Sequence, residues 1–136
     1  MTLNYQSAWT RASLLATVVA TLVAVAPTFA SAQSSTSLET AVQHLGYAAK
    51  AADVATAKKH MHHALNCLEG KAGTDYDASA GDPCKGVGTD YAAGSANEMK
   101  VKKAIGLLND GEKLDDKAAV MKDAAGADKL LKEIKA

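Results

Sequence analysis

The stretch AVQHLGYAAKAADVATAKKHMHHAL, Ala41–Leu65, decides the fold. Apolar residues recur around it at three- and four-residue steps. Leu38, Ala41, Val42, Leu45, Ala48, Ala49 and Ala52 precede Asp53; Val54, Ala57, Met61, Ala64, Leu65 and Leu68 follow it. This is the period of an amphipathic helix, not the alternation of a strand. No Gly or Pro separates the two patterns, so a single helix over 37–69 is one reading. Asp53, however, suits an N-cap, and one helix of that length would need a partner for its apolar stripe all along its length. The favoured expectation is a hairpin, with helices at about 37–52 and 54–69 and a turn at 52–54.

Gly70 suits the residue just past a helix end. Residues 70–95 then change character: Gly, Asp and Ser cluster there with Pro83. That composition predicts a loop longer than a plain connection needs. Ser95 or Asn97 can cap a third helix at about 96–109, with Glu98 in its first turn and Met99, Val101, Ala104, Leu107 and Leu108 as its stripe. Asn109-Asp110-Gly111 reads as a turn. A fourth helix is expected at about 114–134, with Asp115 and Asp116 at its start and Lys129, Lys132 and Lys135 toward its end, the order the helix dipole favours. Its apolar positions are Ala118, Val120, Met121, Ala125, Leu130, Leu131 and Ile134, and Gly126 interrupts it at about 1 kcal/mol relative to Ala. Two helical hairpins joined by one long loop predict an all-α fold, an antiparallel four-helix bundle.

Residues 1–32 read as a signal peptide. Arg11 supplies a positive start, Ser13–Ala26 an apolar run, Pro27 a break, and Ala30-Ser31-Ala32 the small residues of a cleavage site. The apolar run is shorter than the ~20 residues a membrane span needs. The expectation is a single exported domain over 33–136, periplasmic or secreted, with no membrane span after signal removal. Beyond Ala32 there is neither Trp nor Phe, and fourteen Lys stand against fifteen Asp and Glu. An alanine-rich chain poor in aromatics favours closely packed helices. Its near-neutral charge points away from nucleic acid.

Cys67 and Cys84 are the only two cysteines. An even count in an exported protein predicts one disulfide. Thiolate ligation or a redox couple is the alternative, but there is no C-x-x-C and no C-x-x-C-H.

His60, His62 and His63 lie within four residues, and His44 is the only other histidine. At about 100° per residue, His60 and His63 fall on one flank of the stripe centred on Met61, and His62 on the other. The same construction about Leu45 puts His44 on the like-handed flank of the first helix. In an antiparallel hairpin these flanks meet. His44, His60 and His63 can then converge on a Cu, Ni or Zn ion, with His62 a bystander. The alternative is solvated surface beside Lys58 and Lys59. On one straight helix His44 and His60 would be about 24 Å apart along the axis, and no shared site could form.

Other chemistries find less support. Asp75–Asp82 spaces oxygens like the start of a calcium loop, but Gly86 stands where a bidentate Glu is required. No catalytic triad, phosphate loop or facing carboxylate pair is legible, so an enzyme is not expected. The stretch 41–65 has the rhythm of the small periplasmic metal-binding proteins, which it resembles. They are histidine-bearing antiparallel four-helix bundles that bind copper and other divalent ions. The resemblance implies a metal-binding role for His44 and His60. A second segment, HHALNCLEG followed by DYDASAGDPCKGVG, resembles one that recurs in small exported bacterial proteins of unassigned role. Two functions from different classes follow. One is a small exported protein binding one divalent transition metal. The other is a structural or protein-interaction module whose stapled loop meets a partner through Tyr76 and Tyr91, each in a Thr-Asp-Tyr repeat.

Overall fold

The structure is a computed structural model and describes residues 29–134. Its four helices are α1, Phe29–Ala48; α2, Val54–Glu69; α3, Ala96–Glu112; and α4, Lys117–Lys132, with a single 3₁₀ turn at Ala78–Ala80 in the long loop. Among the described residues there is no strand. Each helix packs on its two neighbours, closing the ring α1–α2–α3–α4, and α2 also touches α4 across the diagonal. The fold is the expected four-helix bundle.

The chain does turn before Asp53. The Asp53 side chain accepts from Thr56 N at 2.8 Å and from the Thr56 hydroxyl at 2.9 Å, capping α2. That cap satisfies an N–H that has no helical partner at a helix start. Ser95 caps α3 through Glu98 N, and Asp116 caps α4 through Ala119 N. Asp116 thus lies just outside the helix whose first turn it was expected to join.

The core is built from Leu45, Met61, Leu65, Leu108, Val120 and Leu131, interleaved with Ala41, Ala48, Ala57, Ala64, Ala104, Ala124 and Ala127. Alanine at so many buried positions lets the helices come close. The stripe of α4 runs through Val120, Ala124, Ala127 and Leu131, with Ile134 buried just past its end, so Ala118 and Ala125, expected inside, are exposed. Met99 is also exposed, at 59%.

Two boundaries differ from expectation. The helix α1 starts at Phe29, so the last four residues of the expected signal segment form its first turn; residues 1–28 lie outside the described residues. Buried Ser34 and Ser37 continue the register of Ala41, Leu45 and Ala48, and the loop satisfies them. Ser34 Oγ accepts from Asp90 N at 2.7 Å, and Ser37 Oγ donates to Val87 O at 3.0 Å. Polar residues at core positions hid this part of the helix. At the other boundary, Asn109-Asp110-Gly111 is not a turn but the end of α3. A Cβ on Gly111 would lie 2.5 Å from Met61 Cε, so this glycine permits close packing.

The long loop folds back on the end of α2. The Cys67–Cys84 disulfide joins them, with Cα atoms 5.2 Å apart. Thr89 N and the Thr89 hydroxyl both donate to Leu68 O, and Lys71 N donates to Gly86 O. Gly70 and Gly88 make the approach feasible: a Cβ on Gly88 would sit 2.6 Å from Glu69 O.

Candidate metal centre

The hairpin brings His44 of α1 against His60 of α2. Their Nδ1 atoms are 3.2 Å apart, one ring donating and the other accepting. His63, one turn beyond His60, stands with its ring centroid 4.8 Å from that of His44 and 5.9 Å from that of His60. One ring nitrogen from each of the three lies within 4.8 Å of the others. The three expected ligands are therefore together. The single-helix alternative is excluded, because it would have held His44 and His60 apart.

The spacing suits one ion. Two nitrogens each about 2.0 Å from a tetrahedral Zn(II) are about 3.3 Å apart. The His44–His60 separation of 3.2 Å is already at that value. Bringing the most distant nitrogen to the same spacing requires a side-chain shift of about 1–1.5 Å.

The electrostatics keep the rings available. Burial lowers the His44 pKa to about 4, with His63 and His60 adding to the effect. The His60 pKa is also lowered, first by burial, then by His63 and Lys59. An imidazole must be neutral to ligate. At neutral pH His44 and His60 are in that form before an ion arrives.

The fold also supplies an outer wall that single-residue reading missed. His63 Nε2 donates to Ala80 O at 2.8 Å, and the loop holds that carbonyl in place. Asn66, fully buried, donates through Nδ2 to Asp77 O and Gly81 O, both at 2.8 Å, and accepts from Asp77 N at 3.0 Å. Asn66 was legible only as a polar residue inside the apolar run ALNCL; its three partners are eleven and more residues away. Tyr47 forms the solvent side of the cluster, its ring 5.3 Å from His60 and 5.8 Å from His44. The Tyr47 hydroxyl accepts from Gln43 Nε2.

His62 is on the opposite flank, as expected, and is not idle. Its Nδ1 lies 2.7 Å from Glu112 Oε1, bridging α2 and α3. Burial raises the Glu112 pKa, and His62 opposes this. A groove of about 410 Å³ opens beside the pair, lined by Lys58, Lys59, His62, Ser79, Ala80 and Glu112. Tyr76 and Tyr91 do not stand free on the loop. Tyr76 OH donates to Asp82 Oδ2 at 2.7 Å, and Tyr91 packs on the core.

Comparison with protein families, with curated proteins and with solved structures finds no match to this chain.

Proposed function

We propose that this protein is a small exported metal-binding protein, periplasmic or secreted, that holds one divalent transition-metal ion between His44, His60 and His63. One observation carries the reading: three imidazoles from two helices offer nitrogens within 4.8 Å of one another. A three-nitrogen set with no carboxylate suits Zn(II), Cu(II) or Ni(II) over Mg(II) or Ca(II). Three protein ligands and a further open position permit binding and release, as a carrier or buffer of metal needs. The disulfide agrees with an oxidising compartment.

Calorimetric titration of tag-free protein with Zn(II), Cu(II) and Ni(II) tests it. One ion per chain is expected. His60→Ala should weaken binding strongly, because it removes one of the three clustered imidazoles; His62→Ala should change it little. Equal losses in the two variants would mean loose chelation by the His60–His63 run. No binding by any of the three ions would leave the interaction-module reading in its place.

A further inference from the structure

The metal reading leaves open which nitrogen of His63 faces the ion and what aims it. Ala80 O can only accept, so the 2.8 Å contact fixes the proton on His63 Nε2. The lone pair is then on Nδ1. That atom is buried and has no hydrogen-bond partner. His44 and His60 already face each other through Nδ1, and the ring that donates there carries its proton on Nε2 instead when it ligates. The structure assigns Nδ1 of all three rings to the ion, and we propose that Asn66 is the positioning residue that makes this so for His63. The assignment rests on the metal-binding reading above.

Asn66 acts through the loop. It is three residues after His63, on the same face of α2. Its amide grips Asp77 and Gly81, the two residues that bracket the 3₁₀ turn Ala78–Ala80. The grip sets where Ala80 O lies. Gly81 completes the fit, since a Cβ there would sit 2.6 Å from His63 Nε2. A backbone carbonyl accepting the far N–H of a ligating imidazole orients the ring and strengthens the other nitrogen as a donor. The Cys67–Cys84 bridge anchors the loop next door. The histidines of α1 and α2 thus share their site with a loop that contributes no ligand.

Two measurements on the 15N-labelled protein test this. Long-range 1H–15N spectra of the metal-free protein should show His63 as the Nε2–H tautomer at neutral pH. Zn(II) should then shift His63 Nδ1 while Nε2 keeps its proton. A wild-type His63 carrying its proton on Nδ1 overturns the assignment. Asn66→Ala should mix the His63 tautomers and weaken Zn(II) binding by roughly ten- to a hundred-fold, with helix content and one-ion stoichiometry retained. Should Asn66→Ala fail to fold, Gly81→Ala, which pushes directly on the ring, carries the same expectation. Zn(II) binding at wild-type strength in the folded variant overturns this inference alone. Failure of the wild-type protein to bind Zn(II) overturns the metal reading and the inference with it.

Discussion

His44 shows how the surroundings of one residue set its chemistry. Burial against two other imidazoles takes its pKa from 6.5 to about 4. In the unfolded chain it titrates at the ordinary value. Between those two values the unfolded state binds a proton that the folded state does not, so stability rises with pH across the window and is complete above it. The urea midpoint of the metal-free protein should therefore climb from pH 4 to pH 6.5. Replacing His44 by Gln should flatten part of that climb. The His44 ring signals should titrate near pH 4 by NMR; a midpoint at 6.5 would contradict the packing. The sequence disclosed the flank on which this ring lies, because helix geometry fixes direction from spacing alone. It did not disclose the Ala80 carbonyl behind His63, which sits in place through contacts formed only when the loop closes.

Glycines in the helices and the loop sort by what surrounds them. At Gly46 in α1 and Gly106 in α3, an added Cβ would meet nothing within 4 Å. Gly46→Ala and Gly106→Ala should each stabilise the protein by about 0.5–1 kcal/mol, from helix propensity alone. Gly88 is the opposite case, with Glu69 O and Gly70 N both inside 3 Å of a Cβ. Gly88→Ala should destabilise by about 1–3 kcal/mol. Urea denaturation of the three variants checks the signs, and a stabilising Gly88→Ala would mean the loop is not seated on α2. The hairpin turn was legible in Asp53, whose cap competes with helix continuation locally. The start of α1 was not, since Ser34 and Ser37 look like surface residues until the loop that satisfies them is in place. The end of α3 misled for the converse reason: Asn109-Asp110-Gly111 has turn chemistry, but contact with Met61 uses the glycine for packing.

Across the whole molecule, the architecture followed from periodicity, because two hairpins of amphipathic helix have few ways to close. The disulfide spans 17 positions, and a cross-link of that span contributes about 3 kcal/mol in the chain-entropy account. The Cys67→Ala, Cys84→Ala double variant should lose about that much in urea denaturation. A loss near zero would show that the hydrogen bonds from Thr89 and Asn66 hold the loop without it.

The ties in this bundle are unevenly shared. The imidazole cluster, the Asn66 grip, the disulfide and the serine contacts all lie within α1, α2 and the loop. The second hairpin, α3–α4, joins them through apolar packing and a few side-chain contacts such as His62–Glu112 and Lys58–Asp115. Thermal opening should therefore be hierarchical, with α3–α4 exchanging its amide protons through a lower-energy excursion than the α1–α2 unit. An ion bound in the first hairpin would deepen that contrast, protecting one half of the chain far more than the other.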